Sequence, residues 1–171
     1  IDTIFFGLAN VITGPFIPDS WAYNKEVKQA PYDPSEAKCL LKEAGWIDLN
    51  GDGWIEKDGK IFEFTVLVNQ GNLERLRCAE LIQRYLKGIG SRVKIRVIEW
   101  SSMINEFINK RRFEAVLMGW FLSRDPDCYD IWHSSKTREG EFNFVGYDNG
   151  RVDRLLEEGR RTFDQAKRAE I

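Results

Sequence analysis

Hydrophobic and polar positions change period several times along the middle of the chain, and each change predicts a new element. Residues 61–68 are rich in β-branched and aromatic side chains, which is typical of a strand. In residues 93–99 apolar side chains alternate with basic ones, as in a strand with one buried face. Between them, helical spacing over residues 73–89 predicts an amphipathic helix. Its apolar stripe is expected to comprise Cys78, Leu81, Ile82, Tyr85, Leu86 and Ile89.

The alternation of strands and helices continues further along the chain. Ser101 or Ser102 can cap a helix over residues 102–110. Residues 113–119 form a near-continuous apolar run, which predicts a strand covered on both faces. The order β, α, β, α, β predicts parallel strands joined by helical crossovers, and therefore an α/β fold. Because ligands of such sheets bind beyond the carboxyl ends of the strands, we expect a ligand site within residues 120–127.

The two ends of the chain show weaker patterns. Residues 1–32 have no sustained period, which predicts an irregular, extended segment. Asp33, followed by a proline, has the residue type of an N-cap, so a helix is expected to begin there. A short helix is expected at residues 127–133, and Asn149 or Asp148 is expected to cap another helix.

Composition narrows the possible functions. The chain has 25 basic and 27 acidic residues and a formal net charge of −2, which gives no indication of a nucleic-acid partner. Three widely spaced cysteines and a single histidine lack the spacing of a zinc site. No apolar run approaches the ~20 residues of a membrane span. The 22 aromatic residues (Trp 6, Phe 11, Tyr 5) fit either core packing or the lining of a binding cleft.

Motifs for catalysis do not occur in the sequence. His133, the one histidine, adjoins two serines, but neighbours at a helix end do not make a triad, so a capping or surface role is expected. Phosphate-binding glycine loops are absent, and no cofactor is predicted. Asp125 and Asp127 flank a proline in one loop, and a hydrolase that uses both carboxylates is the enzyme alternative. Turnover, and whether the two carboxylates share one pocket, would test it.

The best candidate for a metal site lies in residues 48–59. Asp48, Asn50 and Asp52 have the alternating spacing with which a calcium-binding EF-hand loop begins. The twelfth position, which should hold an acid, is Gly59, and a strand is predicted to follow where the second EF helix would be. A turn stabilised by these side chains is therefore expected, with calcium as the alternative.

Four motifs in order resemble the family 5 extracellular solute-binding proteins, the peptide-binding receptors of bacterial ABC importers. The first is DPSEAKCLLKEAGWIDLNGDGWIEKDGKIFEFTVLV, which starts at Asp33. The others are CAELIQRYLKGIG, MGWFLSRDPDCYDIWHSS and NFVGYDNGRVDRLLEEGRRTFDQAKRAEI. Each motif alone is weak, but their order and spacing over nearly the whole chain make the resemblance specific.

The resemblance implies a lobe like those of periplasmic binding proteins, with three layers and a mostly parallel central sheet. Residues 1–171 would form one domain, the second lobe of a receptor whose first lobe and C-terminal return lie outside this sequence. The implied function is delivery of peptides to a membrane ABC permease, by a lipoprotein in the periplasm or on the outer face of the cytoplasmic membrane. The alternatives are an oligosaccharide- or nickel-complex-binding relative and a non-transport interaction domain. A lobe without its partner lobe is expected to self-associate through its exposed cleft face.

The resemblance also implies a ligand site. In several members an aspartate three residues after the tryptophan of the "GW" pair binds the α-ammonium of a peptide. Here that position holds Ser123, and Asp125 follows two residues later. Trp120 is expected to stack on a ligand side chain or sugar, with a core position as the alternative, and a helix cap is the alternative for Asp125. The predicted ligand-binding residues are Trp120, Ser123, Arg124, Asp125, Asn143 and Phe144.

Overall fold

The computed structural model describes residues 2–121 and 123–171, and it has the predicted α/β class. Helices are α1 (Asp2–Phe5), α2 (Pro34–Glu43), α3 (Leu73–Lys87), α4 (Trp100–Ser102, continued by a π-helix over Met103–Ile108), α5 (Tyr129–Trp132), α6 (Gly150–Arg161) and α7 (Gln165–Glu170). Strands are β1 (Glu56–Lys57), β2 (Lys60–Ile61), β3 (Glu63–Asn69), β4 (Arg92–Ile98) and β5 (Ala115–Val116). Of the described helices, none is long and apolar enough to cross a membrane.

Contacts divide the chain into two compact units. The sheet unit comprises Ile1–Leu8, Ala30–Met103 and Phe113–Met118. The loop unit comprises Ala9–Gln29, Ile104–Arg112 and Gly119–Ile171. Strands β1 to β5 all belong to the sheet unit, whereas every predicted ligand-binding residue belongs to the loop unit.

A parallel sheet in the order β4-β3-β5 forms the centre of the sheet unit, which confirms the predicted parallel strands. Strand β3 lies in the middle, and three of its consecutive residues, Val66, Leu67 and Val68, are buried. Burial of consecutive residues means that both faces of β3 are covered. The prediction that residues 113–119 are the doubly covered strand is wrong. Pairing there is limited to Ala115–Val116, and both residues are only partly buried.

Helix α3 packs on the sheet through a face that overlaps the predicted stripe only in part. Ala79 is fully buried, and Leu76 and Leu86 pack against the core formed by β3 and β4. By contrast, Ile82 and Tyr85 of the predicted stripe are exposed. The prediction left out Ala79 because the sequence pattern gave weight only to large apolar side chains.

Helix starts follow the predicted chemistry at two of three places. The Asp33 carboxylate accepts the N–H groups of the first turn of α2 at 2.9 Å, and the Asn149 side chain caps α6. At α4 the cap is Glu99, not Ser101 or Ser102 as predicted. Its carboxylate accepts both serine N–H groups at 2.8 Å, and these backbone hydrogen bonds lower the pKa of Glu99.

Two short segments differ from their predicted form. The N-terminal segment is largely irregular, as predicted, but it begins with the short helix α1, which packs on α3 through buried Ile4. The helix predicted at residues 127–133 is only the single turn α5, and a 3₁₀ turn follows at Ser134–Lys136. Both helices are too short for a periodic pattern over a long window to detect or to bound them.

Candidate ligand-binding surface

Three aromatic side chains of the loop unit, two exposed and one half-buried, form a group named here the Trp120 cluster: Trp120, Phe142 and Phe144. The ring of Trp120 stacks on Phe144 with centroids 5.8 Å apart and an interplanar angle of 21°. Phe142 meets it edge-on at 5.6 Å. Trp120 is 44% exposed and Phe142 is 55% exposed, so the cluster is a surface feature and not part of the core. Exposed, mutually supported rings of this kind can stack on a ligand.

Asn143 lies below this surface and holds the segment that carries the two phenylalanines. Its side chain is fully buried. The amide nitrogen donates to the carbonyls of His133 (3.1 Å) and Tyr147 (2.8 Å), and the amide oxygen accepts the Tyr147 N–H at 2.9 Å. The prediction that Asn143 bonds a ligand does not fit this geometry, because both N–H groups and the oxygen are engaged inside the protein. Its role is to position the loop.

The polar residues predicted after Trp120 lie together on an exposed loop. Ser123, Arg124 and Asp125 are all exposed. The Ser123 hydroxyl donates to the backbone carbonyl of Asp125 at 2.5 Å. The Asp125 carboxylate pairs with Arg168 at 2.8 Å and caps no helix, so the predicted alternative of a helix cap does not hold.

Asp127 has a partner of its own. The Arg160 guanidinium donates to the Asp127 carboxylate through Nε (2.8 Å) and Nη2 (2.7 Å), and the Tyr129 N–H donates to its other oxygen at 3.0 Å. Burial raises the pKa of Asp127, but Arg160 and the Tyr129 N–H outweigh it and hold the pKa below its usual range. The two aspartates of the enzyme alternative are therefore each bound by a different arginine.

The Asp127–Arg160 pair predicts a dependence of stability on pH. Because the pKa of Asp127 is lower in the folded chain, its ionised form adds stability above the unfolded value of about 4, and this is lost as pH falls through the folded pKa. We expect Asp127→Asn to lower the melting temperature clearly at about pH 6 and much less at about pH 2–3. Exposed Asp19→Asn is the control. An equal Asp127→Asn effect at both pH values, in thermal melts, would contradict this assignment.

His133 has the predicted capping role, but it is buried and not at the surface. Its Nδ1 accepts the Ser135 N–H at 3.1 Å and so caps the 3₁₀ turn. Its ring stacks on Tyr129 with centroids 4.2 Å apart. The hydroxyl of Ser134 donates to Asp153 at 2.6 Å and not to the histidine. The histidine and its neighbouring serines therefore build the loop unit and do not form a nucleophile and base.

The Cys128 thiol of the same unit is not in its reactive, ionised form either. Cys128 is 3% exposed, and burial raises the pKa of its thiol to about 11. The thiol is accordingly protonated at neutral pH and acts as an apolar side chain.

The candidate calcium loop is closed by hydrogen bonds to its own backbone. The Asp48 carboxylate accepts the N–H groups of Gly51 (2.8 Å) and Gly53 (2.9 Å). Asn50 and Asp52 each accept the N–H two residues further along, at 2.9 Å. The expected turn stabilised by these side chains is thus present. Among the described residues no group of three or more His, Cys, Asp or Glu could hold a metal ion.

Sequence reasoning missed several residues that shape the surface. Phe142 completes the Trp120 cluster, and Arg111 donates to the Asn143 carbonyl at 3.3 Å. Arg160 and Arg168 fix the two aspartates. Only Phe142 carried a local signal, as an aromatic two residues before Phe144. The arginines are 32 to 43 positions from the residues that they bind, so no local pattern could reveal them.

Aromatic side chains with a few polar groups beside them, as in the Trp120 cluster and its loop, are typical of ligand-binding sites. The chain belongs to the bacterial extracellular solute-binding proteins of family 5, because the model of the middle part of that family matches residues 1–142. Members of this family are defined by solute binding.

Individual relatives agree with the family. The chain is 40% identical to the oligopeptide-binding protein AppA of Bacillus subtilis over 168 residues, which are 96% of this chain and 31% of AppA. The structure of AppA in complex with a nonapeptide matches 99% of this chain and 35% of that one, at 38% identity and a TM-score of 0.86. NikZ of Campylobacter jejuni, solved with Ni(L-His), matches 99% of this chain and 35% of its own at 29% identity and a TM-score of 0.82.

A third solved structure has a carbohydrate bound. It is an oligopeptide-binding protein of Thermotoga maritima in complex with mannohexaose, which matches 81% of this chain and 27% of its own at 27% identity and a TM-score of 0.71. The chain spans about a third of the length of the relatives that it matches.

Proposed function

We propose that this chain is one lobe of an extracytoplasmic receptor that binds peptides and delivers them to a membrane ABC permease. The exposed Trp120 cluster carries the proposal, because it offers stacking area on a loop that internal hydrogen bonds hold in place. The similarity to AppA, a protein named for oligopeptide binding, supports peptide as the ligand.

The proposed mechanism is enclosure of the ligand. A receptor of two lobes closes on its ligand by a hinge motion, and the ligand stabilises the closed state by contacting both lobes. Each lobe then supplies a part of the contacts, so this lobe by itself would bind weakly. Main-chain hydrogen bonds would give affinity with little sequence preference, and the Trp120 cluster would add the contact with one side chain.

Location and partners belong to the same proposal. We place the receptor in the periplasm or on the outer face of the cytoplasmic membrane, anchored as a lipoprotein and docking on its permease. As an isolated chain it would self-associate through its exposed cleft face. Size-exclusion chromatography of this chain over a tenfold concentration range would detect that association.

A different solute is the second candidate. The relatives solved with Ni(L-His) and with mannohexaose indicate that this fold accepts several classes of ligand. Trp120 could stack on a sugar ring as well as on a peptide side chain. Mass spectrometry of material that co-purifies with the full-length receptor would separate these candidates: peptide masses support the main proposal, and hexose oligomers or nickel would replace it.

Loss of the Trp120 side chain is expected to weaken ligand binding. In the full-length receptor, Trp120→Ala should raise the Kd for a bound nonapeptide at least about fivefold, equivalent to more than ~1 kcal/mol, because it removes the centre of the cluster. Trp100→Ala is the matched control, since Trp100 is similarly exposed at 45% but lies in the sheet unit. An unchanged Kd for Trp120→Ala in titration calorimetry would contradict the proposed site.

A further inference from the structure

The charge of the Trp120 loop depends on residues from outside the loop. Residues 119–128 contain Arg124 and the two aspartates Asp125 and Asp127, so the loop alone has one more negative than positive charge. Arg160 and Arg168 pair with these aspartates. Arg160 also lies 4.0 Å from Asp130, so with both arginines and Asp130 included the group has equal numbers of positive and negative charges. The negative charge of the loop is thus cancelled by tertiary contacts.

The two ion pairs differ in how near they are to solvent. The Asp127 side chain is 28% exposed and also receives the N–H that starts α5, so this pair belongs to the architecture of the loop unit. The Asp125 side chain is 61% exposed, and it lies in the same exposed loop as Ser123 and Arg124. Asp125 is therefore the carboxylate that an incoming ligand would meet, and Arg168 decides whether it is available.

Arg168 is fixed in its place. Its side chain is only 20% exposed, and its guanidinium lies 5.7 Å from the centre of the Trp21 ring. A cation held between a carboxylate and an aromatic face loses little conformational freedom when a ligand approaches, because its position is already restricted. A basic ligand side chain would have to compete with this pre-positioned arginine for Asp125.

The second segment of the surface offers no compensating negative charge. Glu141 accepts the Arg138 N–H at 3.0 Å and lies 3.9 Å from Lys136. Glu139 adjoins exposed Arg138, and the two opposite charges largely cancel at a distance. Around the Trp120 cluster, basic groups therefore match or exceed acidic ones.

We propose that Arg168 is a specificity-determining residue: by neutralising Asp125 it makes the Trp120 surface select ligands with apolar and acidic side chains over ligands with basic ones. This inference rests on the proposed function and specifies the class of peptide. Apolar side chains are favoured by the rings, and acidic side chains by exposed Arg124.

The test is titration calorimetry of the full-length receptor with three pools of nonapeptides. The pools share one randomised apolar background and carry glutamate, lysine or glutamine at the remaining positions. We expect the glutamate pool to bind at least about fivefold more tightly than the lysine pool at low salt, with the difference shrinking at high salt. Equal affinities for the two charged pools would overturn the inference while leaving peptide binding intact. If none of the three pools binds, the proposed function itself fails.

Two variants with opposite expected effects separate Arg168 from general charge effects. Arg168→Met should reduce or reverse the preference for glutamate, because Asp125 becomes available, whereas Arg168→Lys should retain it. Asp125→Asn should increase the preference, because Arg168 loses its partner, and this exposed substitution keeps the test valid if Arg168→Met does not fold. A preference that stays the same in both Arg168→Met and Asp125→Asn would overturn the role of Arg168.

Discussion

Replacing Asn143 with leucine is expected to lower the free energy of unfolding by about 3 kcal/mol, since three backbone groups would lose their partner in a buried place. These groups are the carbonyls of His133 and Tyr147 and the N–H of Tyr147, all bound by the Asn143 amide. No other polar side chain in the described chain combines zero exposure with three such hydrogen bonds. The loss should appear as a lower melting temperature and as faster hydrogen exchange at the Tyr147 amide.

An exposed asparagine provides the control for Asn143→Leu, and the place of Asn143 in the loop predicts a functional consequence. Exposed Asn105→Leu removes the same chemical group without a buried partner, and it should change stability by no more than about 0.5 kcal/mol. Because Asn143 lies between Phe142 and Phe144, its loss should also disorder the Trp120 cluster and raise the Kd of the full-length receptor. A stable Asn143→Leu variant with a slowly exchanging Tyr147 amide would show that the loop is held by other contacts.

Replacing Gly90 with alanine is also expected to lower the free energy of unfolding by about 3 kcal/mol, for a steric reason. Gly90 lies between α3 and β4 with a φ of +89°, which an alanine adopts only with strain. A Cβ there would lie 2.8 Å from Cγ2 of Ile55 and 3.3 Å from its backbone nitrogen. The Ile55 N–H also donates to the Gly90 carbonyl at 2.9 Å, so neither residue can move away without breaking this hydrogen bond.

A substitution at a second glycine separates the effect of backbone strain from the effect of steric contact. Gly59 also has a positive φ, +73°, but a Cβ there would meet no atom within 4 Å. Gly59→Ala should therefore lower the free energy of unfolding by only about 1 kcal/mol, because it adds the strain of the left-handed backbone and no steric contact. Chemical denaturation of both variants measures the difference. Equal losses for the two variants would show that the close contact with Ile55 relaxes at no cost.

Local signals predicted the parts of the fold that depend on neighbouring residues. Asp33 and Asn149 cap their helices as their residue types indicated, since a cap needs only the next three N–H groups. Two strands joined by a helix predicted parallel pairing of β3 and β4, which follows from the geometry of the crossover. The caps use contacts within a short stretch of chain, and the β3–β4 pairing, although it joins residues 29 positions apart, follows from the order of the elements.

The predictions of burial were wrong where one sequence pattern fits more than one position in the fold. An apolar run such as residues 113–119 indicates a buried segment, but tertiary neighbours decide how much of it pairs in the sheet, and only Ala115–Val116 of the described residues do so. The stripe of α3 was assigned to large apolar residues, yet Ala79 faces the core and Tyr85 does not. Burial depends on how the helix lies against the sheet, and side-chain size alone does not determine that.

The candidate site also has some features that the sequence predicts and others that only tertiary contacts determine. The sequence by itself identified the family through four ordered motifs and predicted Trp120 and Phe144 as ligand-binding residues, because those signals lie in the residues themselves. Only the tertiary structure decided that Asn143 is buried under the surface and that Asp125 is bound by Arg168. A hydrogen bond or an ion pair over tens of residues leaves no periodic trace in the chain, so which polar groups face a ligand is determined by folding and not by local sequence.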